Sequence, residues 1–364
     1  MMKLVIDARE SGTSTGRYVD KLIEYLNKLK PDYKVVILTT KPRLEFMSKL
    51  APHFEVIESH YKEFTFAEQI GLLRQLNKLQ PDLVHFPMIQ QPILYRGKVV
   101  TTMQDLTTVR FRNPSKNWLV FVIKQQVYKL VTYWAAHKSA RLMTPSEYVK
   151  EDVARYTRIN SRKVTVTLEA ADAIPDPPEA IADLDGKPFL MYVGRPQPHK
   201  NLERLIEAFA ILRQTNPNLR LVLAGKKDAL YRQLKKQTEL RGIKNVLFTG
   251  FVSEGQLRWL YEHTSAYIFP SLSEGFGLPG LEAMIHGAPL VSSDATCLPE
   301  VYKDAAVYFD PLNIEEMASV ISNVLSDEPL RKHLIARGKV VAGGYSWQRT
   351  AQQTLDVYKE VLGD

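Results

Sequence analysis

Short, wholly apolar runs alternate with longer stretches of helical period along nearly the whole chain. In the first half the strand-like runs are Leu4–Ala8, Val35–Thr40, Leu83–Phe86, Val99–Met103, Leu142–Thr144 and Val164–Leu168. Helices are predicted near Gly16–Leu29, Phe66–Leu79, Trp118–His137 and Ser146–Tyr156. Such alternation implies a parallel sheet covered by helices on both faces. Residues Glu169 to Pro178 are rich in proline and acid and read as an interdomain linker. A second series follows at Phe189–Val193, Leu219–Ala224, Val246–Phe248, Ala266–Phe269, Leu290–Ser292 and Val307–Phe309. Helical pattern dominates beyond Ile314, and Ser346-Trp347 opens a last amphipathic helix to Leu362. The pattern predicts an α/β chain with one domain over 1–170, a linker over 171–187 and a second domain over 188–345.

Composition changes this picture little. The 364 residues suit two α/β domains, and a hydrophobic content of 45% supports full cores. No segment is long and apolar enough to span a bilayer, and Met1–Ala8 reads as the start of a strand, not a signal peptide. A single cysteine, Cys297, excludes an intrachain disulfide and a cysteine-based metal cage. It reads as a small apolar filler, and the chain as one for a reducing cytoplasm. The net charge of +8 is unevenly spread: Arg96–Lys150 holds ten Lys/Arg against two acids. A basic segment suits anionic lipid, lipid-linked phosphate or nucleic acid. No nucleic-acid-binding motif accompanies it, so nucleic acid is set aside.

The most informative stretch is Ser273-Glu274-Gly275-Phe276-Gly277-Leu278-Pro279-Gly280-Leu281-Glu282. It lies between the apolar run Ala266–Pro270 and a helix expected to start at Pro279 and stop at Gly287. A glycine-rich loop at the carboxyl end of a strand, running into a helix N-terminus, is where open α/β sheets bind ligands and where N–H groups favour anions. Glu274 is expected on the loop and Glu282 in the first helical turn, where each can accept hydroxyls of one extended polyhydroxylated ligand. Taken alone, an ordinary strand–loop–helix junction fits as well. The whole pattern, with Gly287–Asp294 and Leu298-Pro299-Glu300-Val301, resembles the Glu-x7-Glu motif of retaining glycosyltransferases of family four.

That resemblance covers nearly the whole chain, most closely from Gly194 to Pro311. It implies the GT-B fold, two facing Rossmann-like domains, with the last helix, 346–364, crossing back to the first. It also implies transfer of a hexose from a nucleotide-diphosphate sugar to a glycan or lipid-linked acceptor, in surface polysaccharide or glycolipid synthesis. Lys200-Asn201-Leu202 and the helix around it look most like mannosyl- and glucosyltransferases, which favours GDP-mannose, with UDP-glucose next. By the same resemblance Glu282 meets the ribose, Glu274 the sugar hydroxyls, and the amides of Phe276, Gly277 and Leu278 the sugar. No cofactor is expected.

Other loops carry further candidates. Gly194-Arg195-Pro196-Gln197-Pro198-His199-Lys200 ends one strand and opens a helix, and its two cations suit a diphosphate. The family's matching Arg and Lys hold the donor's diphosphate, so no metal is needed, and Asp183-Leu184-Asp185 is read as linker. His199 is given only a surface or capping role. Loops at Gly225 and at Gly250-Phe251-Val252 resemble those beside the family's nucleotide base, with Val252 offering backbone groups and Gly225 making room. In Glu10–Tyr18 the glycine spacing matches no dinucleotide or P-loop pattern. The resemblance nevertheless assigns Gly16, and with it Gly12, to approach of the donor phosphate or acceptor. Arg17 is either functional or a helix-surface charge. Gln104-Asp105 departs from the family, which commonly has His-Asp there with the His on the donor sugar; the resemblance carries Asp105 over as catalytic and Gln104 as the donor-sugar contact. Glutamine cannot take a proton near neutral pH, so catalysis should not depend on an imidazole at 104. His85 reads equally as a buried loop tie or a site group. The apolar, aromatic and basic stretch 117–134 fits a buried helix or a peripheral membrane contact. Two rival functions stay open, an epimerase of the same fold and a nucleotide-sugar-binding module without catalysis.

Overall fold

The computed structural model describes residues 1–13, 16–63, 65–111 and 118–364. Of the sequence readings, those on Ser14, Thr15, Arg112, Lys116 and Asn117 lie outside the described residues. The chain forms two compact units: 1–109 with 122–169 and 346–364, and 110–121 with 170–345.

The first unit contains β1 (Lys3–Asp7), α1 (Gly16–Leu29), β2 (Lys34–Thr39), α2 (Leu44–Leu50), β3 (Glu55–Glu58), α3 (Leu73–Leu79), β4 (Leu83–Phe86) and β5 (Val99–Thr102). Then come α4 (Thr107–Arg110), α5 (Trp118–Lys138), β6 (Arg141–Thr144), α6 (Glu147–Thr157) and β7 (Val164–Val166). The sheet runs β3-β2-β1-β4-β5-β6-β7 with parallel pairings throughout. β1, β4 and β5 are buried on both faces, as their continuous apolar character requires. β3 escapes sequence reading because only Val56 and Ile57 are apolar and two exposed glutamates bound it, the signature of a guarded edge. α2 and α4 are too short to show a helical period.

The second unit contains β8 (Phe189–Val193), α7 (Leu202–Thr215), β9 (Arg220–Ala224), α8 (Ala229–Leu240), β10 (Val246–Gly250), α9 (Glu254–His263) and β11 (Ala266–Phe269). It continues with α10 (Leu278–Ile285), β12 (Leu290–Ser293), α11 (Leu298–Tyr302), β13 (Ala306–Phe309), α12 (Ile314–Ser326) and α13 (Glu328–Gly343). Its sheet runs β10-β9-β8-β11-β12-β13, again parallel. Residues 170–187 lie along this unit: Ile174 N donates to His286 Nε2 and Glu179 N to the Gly255 carbonyl.

The last helix, α14 (Trp347–Leu362), belongs to the first unit and packs on α1. Ser346 caps it by accepting from Arg349 N, and Trp347 buries its indole against Tyr18. His85, on β4, takes the structural role of the two open to it. Its ring nitrogens contact the Tyr358 hydroxyl of α14 at 2.6 Å and Thr102 Oγ1 at 2.9 Å. Burial holds it neutral by pushing its pKa down to about 3.

Candidate functional site

In both sheets the strand order reverses beside the first strand, so a crevice opens at the carboxyl ends of β1 and β4 and of β8 and β11. Such switch points are where parallel α/β sheets bind ligands. In the second unit the loops after β8 and β11 meet there through one ion pair. Lys200 Nζ donates to Glu274 Oε1 at 2.6 Å, both side chains partly accessible. Two residues that the sequence assigns to different parts of a ligand are thus each other's partners.

The Glu274 peptide is clamped on both sides. Its N–H donates to Thr296 Oγ1 at 3.2 Å, and the Cys297 thiol donates to its carbonyl at 3.4 Å. Burial pushes the Cys297 pKa up, which keeps the thiol a donor, so this residue does more than fill space. Gly275 and Phe276 are buried, and the Phe276 ring packs edge-on against Tyr345. Gly277 caps α10 at φ +92°, and a Cβ there would lie 2.3 Å from the Tyr302 hydroxyl, which itself donates to the Gly277 carbonyl. Only glycine fits this cap. Leu278 begins α10, which places Glu282 in the second turn and not the first. The helix dipole therefore does little for it. Glu282 is buried at 5% exposure, and its Oε2 accepts from the Tyr261 hydroxyl at 3.2 Å.

Arg195, half exposed, directs Nε and Nη2 onto Asp228 Oδ2 at 3.0 and 2.6 Å. Asp228 also caps α8 by accepting from Tyr231 N at 3.0 Å. Asn201 supplies a tie that sequence reasoning missed. It sits at φ +59°, is 4% exposed, and donates from Nδ2 to the carbonyls of Pro270 (3.0 Å) and Pro311 (2.7 Å). One amide thereby holds the loops after β8, β11 and β13 together. His199 is mostly buried, its pKa pushed down to about 4 by desolvation and then by Lys200, and its carbonyl accepts from Leu272 N. Gly225 N donates to the Gly250 carbonyl at 2.9 Å, which ties the ends of β9 and β10 together. Val252 follows, half-buried, beside Phe251, whose ring is 85% exposed.

The first unit builds its crevice differently. Arg9, directly after β1, is buried between Asp7 (2.6 Å) and Glu68 (2.8 Å) and donates to the Tyr61 carbonyl at 2.6 Å. Burial alone would lower the Arg9 pKa, but the two carboxylates overcome it and raise it. Glu68 reaches this position from a π-helical turn, Glu68–Leu72. Gln90 Nε2 donates to Glu10 Oε1 at 2.9 Å across the switch point. Gly12 rests against Arg43, which also ties Ser11 and Asp20. A Cβ on Gly16 would sit 1.9 Å from the Glu10 carbonyl oxygen, so packing alone demands that glycine. Asp105 Oδ1 accepts from Thr107 N at 2.7 Å, which starts α4. Gln104 is half-buried beside Glu169.

Among the described residues no group of three or more His, Cys, Asp or Glu could hold a metal, and no helix is long and apolar enough to cross a membrane. α5 does present Val127, Leu130 and Tyr133 to solvent at a spacing that puts them on one face.

Residues 178–341 match the family model described as glycosyl transferases group 1, and residues 15–173 match that of glycosyltransferase family 4. The chain is 32% identical over 235 residues to O-antigen chain mannosyltransferase B of Escherichia coli, covering 61% of each. It is 30% identical over 230 residues to the serotype-specific mannosyltransferase WbdA of the same species, covering 60% of this chain and 28% of that one. The chain thus spans less than two thirds of either relative's length. Among solved structures, Anabaena HepE in complex with UDP and glucose superposes with a TM-score of 0.74 at 16% identity, over 99% of this chain and 100% of that one. With two parallel-sheet α/β units and a family match to each half, the chain belongs to the glycosyltransferases of GT-B fold.

Proposed function

We propose that this protein is a retaining hexosyltransferase whose donor, a nucleoside-diphosphate sugar, binds at the carboxyl end of the second sheet. The observation that carries this reading is the Lys200–Glu274 pair at the switch point, beside the N-terminus of α10. A diphosphate can draw Lys200 and Arg195 from their carboxylates, since each pair remains open to solvent and easily exchanged. Lys200 and Arg195 would then supply the positive charge that the leaving diphosphate needs, without a metal. Glu274, released from Lys200, can accept sugar hydroxyls. Glu282 is read as the ribose contact, the amides of Phe276, Gly277 and Leu278 as sugar contacts, and Gly225 and Val252 as neighbours of the base. In the first sheet Asp105 is read as a catalytic residue, Gln104 as a donor-sugar contact, and Gly12 and Gly16 as approaching the donor phosphate or the acceptor. The bond from the anomeric carbon to the phosphate oxygen breaks while a bond to the acceptor oxygen forms on the same face. The acceptor's proton passes to the leaving phosphate oxygen, so an imidazole at position 104 is dispensable.

Mannose from GDP-mannose is the preferred donor, supported by the mannosyltransferase relatives, with glucose from UDP-glucose second. A glycan or lipid-linked acceptor fits those relatives, and the exposed apolar stripe of α5 supports a peripheral membrane contact. Calorimetric titration with GDP, UDP and ADP, without added metal, tests the donor site. Preference for one nucleotide, weakened at least tenfold by Lys200→Ala and by Glu282→Ala, is the expected result. Absence of binding by all three would sink the assignment.

A further inference from the structure

The short helix α11 stands between two non-glycine residues in the left-handed region, Thr296 at φ +56° and Lys303 at φ +52°. A β-branched threonine is strained there, because its Cβ crowds the carbonyl oxygen that follows. Such a conformation persists only where its surroundings hold it, and it is found most often at functional sites. At the Lys303 end the carbonyl accepts from the Tyr308 hydroxyl at 2.6 Å. At the Thr296 end the contacts lead to the loop after β11. Thr296 Oγ1 accepts from Glu274 N at 3.2 Å, the Cys297 thiol donates to the Glu274 carbonyl, and Tyr302 donates to the Gly277 carbonyl at 2.6 Å. Thr296 keeps its own proton for the Cys297 sulfur, which its side chain also reaches. Tyr345 ties the two segments together, since its hydroxyl donates to the Val301 carbonyl at 2.8 Å while its ring packs against Phe276. Residues 296–302 thus grip the donor loop by its backbone, and their strained member holds the N–H of Glu274.

We propose that Thr296 is a positioning residue for Glu274: by holding the Glu274 N–H it fixes the direction in which that carboxylate meets the sugar. Lys200 holds the same carboxylate at 2.6 Å, but only until a diphosphate draws the cation away. From then on the direction of the side chain rests on its backbone, and the backbone rests on Thr296 and α11. A Glu274 peptide free to turn would cost the reaction orientation and leave nucleotide affinity intact. Misplacement by about 1 Å is enough to slow a reaction about a hundredfold. The strain at Thr296 is thus stability forgone for a fixed carboxylate. The role of Glu274 toward a sugar rests on the transferase reading, and the hold of Thr296 on its N–H does not.

The test uses the full chain with three substitutions. Thr296→Val keeps the branched shape and removes the hydroxyl. Thr296→Gly removes the hydroxyl and eases the strain, so a loss in it does not come from misfolding. Thr296→Ser keeps the hydroxyl. Hydrogen exchange at the Glu274 amide needs no ligand: it should quicken about tenfold in the valine and glycine variants and stay within about twofold in Thr296→Ser. Equal exchange in all of them overturns the proposal. Release of nucleoside diphosphate from GDP-mannose and UDP-glucose gives the kinetic arm. Thr296→Val and Thr296→Gly should lower kcat about tenfold, with KM and the affinity for GDP and UDP within about twofold, and Thr296→Ser should keep the rate. In a Glu274→Gln background Thr296→Val should add less than about twofold, because it acts through that carboxylate. A tenfold loss that persists in that background overturns the positioning role, and so does an equal loss in Thr296→Ser. If the natural protein neither binds nor releases a nucleotide, the transferase reading fails separately, and the exchange rates at Glu274 still decide whether Thr296 holds its N–H.

Discussion

The two sheets share one wiring, with strand order reversing beside the first strand of each, yet they treat charge at that point in opposite ways. At the second sheet the ion pairs Lys200–Glu274 and Arg195–Asp228 are partly open to water. At the first, Arg9 is sealed between Asp7 and Glu68, and His85 and Glu169 are buried in forms without charge. Open pairs are cheap to exchange for a charged ligand, whereas buried ones are expensive to break and hold loops in place. The second crevice is thus built to trade partners and the first to keep them.

The largest effect expected from this contrast is on stability. Arg9→Ala leaves Asp7 and Glu68 facing each other without their cation and should cost about 3–5 kcal/mol in urea denaturation. Arg195→Ala removes an exposed pair and should cost under about 0.5 kcal/mol. Equal losses would erase the distinction between the two crevices. Asn201→Ala comes next, because it strands the carbonyls of Pro270 and Pro311 and puts a non-glycine side chain at φ +59° without the local hydrogen bonds asparagine makes. A loss of about 2–3 kcal/mol is expected, with weaker nucleotide binding as the loops separate.

This contrast also marks what the chain discloses before it is folded. The parallel strands are legible because each is a continuous apolar run between helical periods, and α1 and β4 match their expected bounds. The Glu274–Glu282 loop is legible because its residues are contiguous. The Arg9 triad is not, since Asp7 and Glu68 are 61 positions apart and Glu68 points inward only through a π-helical turn. Glu169 stands in a stretch whose prolines and acids read as linker, and nothing local signals its burial. Glu282 falls in the second turn because α10 begins at Leu278, one residue before the start at Pro279 that the pattern predicts.

Lys200→Ala sharpens the comparison from the second sheet. It leaves Glu274 beside the incoming phosphates without its counterion, so affinity for the preferred nucleoside diphosphate should fall about thirtyfold, or about 2 kcal/mol. Stability should change by under about 1 kcal/mol, since the pair is partly solvated. A large loss of stability with unchanged affinity would make Lys200 a structural residue like Arg9.

The smallest effect per step, and the most specific to the first sheet, is a pH slope. Glu169 holds its proton up to about pH 8 when folded but releases it near 4.5 when unfolded. Below pH 4.5 both states are protonated. Between the two values only the folded state keeps the proton, so stability falls as pH rises, by about 1.4 kcal/mol per pH unit. His85 acts in the opposite sense: neutral when folded down to about pH 3, it loses stability as pH falls below 6.5. The two slopes overlap between pH 4.5 and 6.5, so the curve of the natural protein alone cannot separate them. Subtracting the curve of Glu169→Gln does, because His85 is common to both proteins. The difference should grow steadily from pH 5 to pH 8 in favour of Glu169→Gln and then level off. Parallel curves would mean that Glu169 is ionised in the folded protein, and the first crevice would then hold an exchangeable charge of the same kind as the second.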